Sequence, residues 1–129
     1  KQDDIDAAKR VMNNVYWAIC PLSNIFIHNA LPPIDLMRNN GLAIALGTDS
    51  LSSNDDLDVM KELVCLHENF PQVPMNELFT WASRNGARFL GKDNVMGSIV
   101  AGKRPGIVHV SALDENGCIT TESRSRRII

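Results

Sequence analysis

Asp49 is the residue with the widest chemical scope. It follows Leu42-Ala43-Ile44-Ala45-Leu46-Gly47, an apolar run without polar alternation, and lies in a polar stretch from Thr48 to Asp55. A carboxylate just past a buried strand either caps a turn or does acid–base work, and the residue alone leaves both readings open. Ser23 and Asn24 occupy a similar place after Val15-Tyr16-Trp17-Ala18-Ile19-Cys20, a run ended by Pro21. Their side chains suit closure of a turn through hydrogen bonds to backbone, or contact with a substrate. The three histidines, His28, His67 and His109, include no His-x-His pair. His67 and His109 fall on a helix stripe and in a strand, where packing roles are the simpler expectation. Cys20, Cys65 and Cys118 are scattered, odd in number and free of any C-x-x-C spacing. That usage predicts reduced, small hydrophobic residues in an intracellular, cytoplasmic protein rather than a disulfide framework.

The elements that hold these groups are legible in outline. Ile5, Ala8, Met12 and Val15 share one helical face, predicting a helix over 4–14 with Asp3 or Asp4 as its cap. Strands are expected over 15–20 and 42–47, since continuous apolar runs belong to strands covered on both faces, as in parallel sheets. The 21 residues from 21 to 41 are enough for a right-handed crossover. Within that crossover, 25–32 is expected as a loop and 33–40 as a helix, with Pro33 at its first position and Gly41 just past its end. Two more helices are predicted. One runs over 56–69, with Leu57, Met60, Leu63, Val64 and His67 on its stripe and the acidic Asn54–Asp58 region at its start. The other runs over 75–90, with Met75, Leu78, Phe79, Ala82 and Leu90 inward. From Gly97 onward the pattern turns to short strands at 98–100, 107–113 and 119–122. Asp114-Glu115-Asn116-Gly117 between the last two is a hairpin signal, because Asn-Gly tolerates positive φ. Trp17 and Trp81 are expected in the core, and Arg124, Arg126 and Arg127 in a solvated tail.

Composition narrows the function classes. The 129 residues are 44% hydrophobic and 22% charged, with a formal net charge of −2, which suits one soluble domain. Nothing basic enough for a nucleic-acid footprint is present, and no apolar run approaches a bilayer span. Two parallel strands with helices leave open edges, so the α/β part reads as consecutive βα units of something larger, with self-association into a homo-oligomer as one way to cover the edges.

Four stretches in series resemble the metal-dependent amidohydrolase superfamily, in the branch of cytosine, guanine and adenosylhomocysteine deaminases and chlorohydrolase-like enzymes. They are Cys20-Pro21-Leu22-Ser23-Asn24, Gly41-Leu42-Ala43-Ile44-Ala45-Leu46-Gly47-Thr48-Asp49-Ser50, Ala82-Ser83-Arg84-Asn85-Gly86-Ala87-Arg88-Phe89-Leu90-Gly91, and the segment from Gly97 to Val108. One departure is Asn29-Ala30, where the family's loop carries a glycine before its proline.

The resemblance implies an α/β fold: the C-terminal βα units of a TIM-like (β/α)8 barrel over 1–96, with strands seven and eight at 15–20 and 42–47, followed over 97–129 by part of a small composite β domain. It implies that Asp49 is both catalytic and a metal ligand, shuttling a proton between an attacking water and the leaving group at a C–N or C–Cl bond. The cofactor implied is a divalent metal, zinc or iron. The substrate is a small molecule such as a nucleobase or other N-heterocycle, with Ser23, Asn24 and His28 as candidate contacts. The family's His-x-His pair and its further histidines have no counterpart here. The expectation is therefore a C-terminal fragment of a hydrolase, inactive in isolation, whose other ligands precede Lys1. The competing expectation is a non-catalytic α/β binding or assembly module.

Overall fold

The computed structural model describes residues 1–129. The first helix, α1 (Gln2–Val11), starts earlier than the periodicity predicts. Asp3 and Asp4 lie inside its first turn, where their charge favours the helix dipole, rather than at the cap. Strands β1 (Tyr16–Ile19) and β2 (Ala43–Leu46) pair in parallel, with Tyr16 opposite Ala43 and Ile19 opposite Leu46. The two apolar runs therefore lie side by side and end at the same rim.

The crossover holds more helix than expected. Helix α2 (Pro21–His28) occupies most of the segment predicted as turn and loop. Proline at its first position is preorganised for a helix and forfeits no hydrogen bond there. Its end is set by Asn29, in the left-handed region at φ 49°, the conformation that a glycine before the proline would supply. Helix α3 (Ile34–Asn39) follows, with Pro33 at the cap position and Gly41 leaving it at φ +61°. The side chains of Gln2 and Asn40 exchange amide hydrogen bonds, and Lys9 Nζ donates to the Asn40 carbonyl, fixing α1 against the end of α3.

Beyond β2, α4 (Val59–Asn69) is capped by Asp58, whose carboxylate accepts from Met60 N. Leu57, expected on its stripe, precedes the helix and is 52% exposed. Helix α5 (Met75–Thr80) continues through a π-helical turn, Trp81–Asn85, into α6 (Gly86–Phe89). The extra residue in the π turn changes the helix phase. Trp81 is buried as expected, whereas Ala87 is buried in place of Leu90, which is 66% exposed.

Ile19, Ile34, Met37, Ile44, Met60, Leu63, Val64, Leu66, Val73, Leu78, Trp81 and Ile119 form one contiguous core between the two strands and the helices. Ile119 brings the C-terminal part of the chain onto that core. The residues around it do not form the expected strand; Thr120–Ser123 make a turn in which Ser123 N donates to the Thr120 carbonyl. Residues 98–100 are also not a strand. The ladder that does form is β3 (Val108–Ser111) with β4 (Arg124–Arg127), antiparallel. The three arginines thus sit in a strand, though every residue of β4 remains exposed. The Asn-Gly turn is present, with Gly117 at φ +76° and Asp114 Oδ1 accepting from Asn116 N and Cys118 N. It closes a loop lying between β3 and β4.

Gly97, at φ +82°, is seated against α6 and the π turn: a Cβ there would lie 2.6 Å from Ala87 Cβ and 3.1 Å from Arg84 Cα. All three cysteines are free, with Cys65 buried and Cys20 and Cys118 half-buried. No helix is long and apolar enough to cross a membrane.

Candidate active site

The parallel pairing places the residues after β1 and after β2 next to each other, and side chains from both meet at Asp49. Ser23, in the first turn of α2, donates through Oγ to Asp49 Oδ2 at 2.9 Å. Ser53 donates to the same oxygen at 3.1 Å, and the two hydroxyls lie 2.9 Å from each other. Asp49 itself is exposed and takes φ 59°, a conformation that Asp and Asn adopt more readily than other side-chain-bearing residues. Its Oδ2 is held by two hydroxyls while Oδ1 has no protein donor. One carboxylate oxygen is anchored and the other is presented at the rim.

Beneath this group lies a second set of hydrogen bonds. Asn54 Nδ2 donates to the Thr48 carbonyl at 2.8 Å and to Glu62 Oε1 at 2.7 Å. Glu62 Oε2 accepts from Leu22 N at 2.9 Å. Helix α2 has no side-chain cap of its own, so a carboxylate from α4 serves its Leu22 amide. Burial pushes the Glu62 carboxyl above the usual glutamate range, opposed by its bonds from Leu22 N and Asn54. The Cys20 thiol is also raised, chiefly by burial, against a hydrogen bond from the Asp49 backbone. Gly47 matches that thiol closely, since a Cβ there would meet Cys20 Sγ at 3.4 Å.

The other candidates from the sequence are not gathered here. Asn24 faces a separate cleft lined also by Trp17, Pro32 and Leu36. His28 is exposed at the last residue of α2. His67 is on α4 with a buried, unpartnered Nδ1, and His109 is in β3. Ser23 acts through side chains rather than closing a backbone turn. The sequence marks Asn54 only as part of a helix start, and does not single out Ser53 or Glu62. The available signal was the unbroken Leu63-Val64-Cys65-Leu66 run, too wide for a one-faced stripe, which makes a neighbouring glutamate a candidate for burial.

No three His, Cys, Asp or Glu side chains converge on a point where a metal ion would sit. Protein zinc sites use three or four such ligands, and Asp49 offers one. The donor chemistry suits one ligand position of a metal centre, not a whole one.

Comparison with known proteins bears on what the rim is for. The chain is 29% identical to a 5'-deoxyadenosine deaminase of Methanobrevibacter smithii, over 98% of this chain and 30% of that protein. It is 35% identical to a 5-methylthioadenosine/S-adenosylhomocysteine deaminase of Thermoanaerobacter pseudethanolicus, over 68% of this chain and 22% of the relative. The chain therefore spans about a third or less of the curated relatives it matches. Among solved structures, a zinc-bound adenosine deaminase from Xanthomonas campestris superposes with a TM-score of 0.72 at 26% identity, covering 85% of this chain and 26% of that one. The model of the Amidohydrolase family matches residues 2–127. With that match running nearly end to end, the chain belongs to the amidohydrolase family.

Proposed function

We propose that this chain is the C-terminal part of a zinc-dependent deaminase that replaces the amino group of an adenosine-type nucleoside with oxygen, releasing ammonia. β1 and β2 would be the last two strands of its (β/α)8 barrel, and residues 97–129 would contribute to a small β domain. The observation that carries the reading is the position of Asp49: a carboxylate at the carboxyl rim of two adjacent parallel strands, where barrel enzymes do their chemistry, with one oxygen held and one free. Deaminase relatives favour C–N over C–Cl cleavage.

A bound divalent metal supplies water of lowered pKa in such enzymes. This chain's own contribution is proton transfer. Asp49 accepts the proton of the attacking water and passes it to the departing amine. Ser23 and Ser53 keep Oδ2 occupied, so the carboxylate cannot rotate freely and Oδ1 faces the reaction. Asp49 is also the ligand this segment gives to the metal, the histidine ligands coming from polypeptide outside the 129 residues. The outer edges of β1 and β2 would be covered by that polypeptide, and the intact protein would self-associate.

The test is direct. The intact zinc-loaded protein that contains this chain is incubated with 5'-deoxyadenosine and with 5-methylthioadenosine, and ammonia is measured alongside the change in purine absorbance. Turnover is expected for the intact protein and none for the 129 residues alone. A coding sequence without a His-x-His pair ahead of Lys1, or an intact protein that releases no ammonia from either nucleoside, overturns the proposal.

A further inference from the structure

The core of this chain hides almost no polar side chains. The buried ones are Ser23, Ser53, Asn54, Glu62 and Ser123, and the first four all belong to the cluster under Asp49. Glu62 is the only charged residue among them and is 0% exposed. A buried carboxylate is costly unless its oxygens are satisfied, so its retention inside an otherwise apolar helix face calls for a reason.

The bonds supply one. Glu62 reaches Leu22 directly and Thr48 through Asn54. Leu22 precedes Ser23, Thr48 precedes Asp49, and Asn54 follows Ser53. Each member of the Asp49–Ser23–Ser53 triangle is thus the chain neighbour of a residue in the Glu62–Asn54 set. Three segments that share no regular pairing at this point are referenced to one carboxylate. We infer that Glu62 is a positioning residue for the reaction: by holding Leu22, Asn54 and, through Asn54, Thr48, it fixes the orientation of the Asp49 carboxylate. This inference rests on the catalytic reading of Asp49 given above.

Both Glu62 oxygens act as acceptors, because Leu22 N and Asn54 Nδ2 are both donors. Glutamine has the same shape but presents one amide donor, which must oppose a donor. Turning the Asn54 amide to receive it would set an oxygen against the Thr48 carbonyl. Glu62→Gln therefore preserves volume and breaks the register of the network, leaving an unpaired buried group.

The experiment uses the intact zinc-loaded protein with 5'-deoxyadenosine as substrate, comparing Glu62→Gln, Asn54→Ala, Ser53→Ala, the double variant Glu62→Gln/Ser53→Ala, and Asp49→Asn. Glu62→Gln and Asn54→Ala are each expected to lower kcat about tenfold or more, the loss typical of a misplaced catalytic group, with KM and zinc content close to those of the unmodified protein. The double variant is expected to lose less than the product of its single losses, since both act through the same carboxylate. Should Glu62→Gln fail to fold, Asn54→Ala decides by the same criteria. Unchanged kcat in both, or strictly multiplicative losses in the double variant, overturns the inference while leaving Asp49 in its role if Asp49→Asn is inactive. Full activity of Asp49→Asn instead overturns the catalytic reading on which it depends.

Discussion

Replacing Asp49 by asparagine and by alanine separates its chemistry from its part in the fold. The residue takes φ 59° and accepts hydrogen bonds from Ser23 and Ser53 at 2.9 and 3.1 Å. Asparagine tolerates the left-handed region and keeps an amide oxygen for both hydroxyls, so its effect on stability should stay below about 1 kcal/mol. Alanine pays about 1–2 kcal/mol for the same backbone conformation. It also deprives two buried hydroxyls of their shared acceptor, although each retains the other, adding about 1 kcal/mol. Asp49→Ala should therefore unfold at lower urea with an unchanged m-value, about 2–3 kcal/mol less stable, and Asp49→Asn nearly as the parent. Activity should not follow that order. Both substitutions remove the proton acceptor, so in the intact protein both should lower kcat about a hundred- to ten-thousandfold. A kcat for Asp49→Asn close to that of the parent would refute the assignment. Equal stabilities for the two variants would show that the left-handed conformation and the paired hydroxyls carry no weight.

Three further outcomes follow from the fold. Gly97→Ala puts a methyl 2.6 Å from Ala87 Cβ at φ +82°, whereas Gly102→Ala meets no atom within 4 Å at φ +87°. Both incur about 1–2 kcal/mol of backbone strain, and Gly97→Ala should lose about 1–3 kcal/mol more in urea unfolding; equal losses would contradict the packing described. The Cys65 thiol is pushed up to about 11, mainly by burial and then by Glu62 and Glu68. The folded chain thus holds that proton more tightly than the unfolded one, and the contribution to stability is complete below 9.0 and lost as pH rises towards 11. Cys65→Ala should flatten the stability profile in that window, and iodoacetamide at neutral pH should label Cys118 well before Cys65. Arg38 meets Glu77 through two parallel bonds, Nε to Oε1 and an Nη nitrogen to Oε2, both 2.9 Å, joining α3 to α5. Arg38→Lys keeps the charge and loses the fork, and denaturation should register a loss of about 0.5–1 kcal/mol.

The parallel strands were readable because Val15–Cys20 and Leu42–Gly47 are uninterrupted apolar runs separated by a crossover of adequate length. The position of Asp49 at their common rim follows from that pairing alone. Other features depended on geometry that periodicity does not carry. Helix α2 was hidden because Leu22 and Ile25–Ile27 look like a continuing apolar loop, and only Pro21 and the left-handed Asn29 mark its limits. The inward face after Trp81 departs from simple periodicity because a π turn adds one residue, so Ala87 is buried where the pattern predicts Leu90. Ile119 looks like part of a strand but is a lone apolar plug just ahead of the Thr120–Ser123 turn, and the strand lies further on in the arginines. For the site, Asp49 and Ser23 stand out by type and place, whereas Ser53 and Glu62 are defined by what they touch across 30 and 40 residues of chain, and Asn54 by the Glu62 that it meets. Hydrogen bonds of that range have no local signature.

The β3–β4 ribbon is nearly all surface: only Val110 among its eight residues is even partly covered. Its backbone ladder is held while its side chains contribute little to burial. The electrical character of this end of the molecule is consequently separable from its architecture. Arg126, which is exposed in β4, can be exchanged for a neutral or acidic residue to retune solubility and colloidal behaviour without disturbing the helical layer, whereas Arg124 also holds the Thr121 and Ser123 carbonyls.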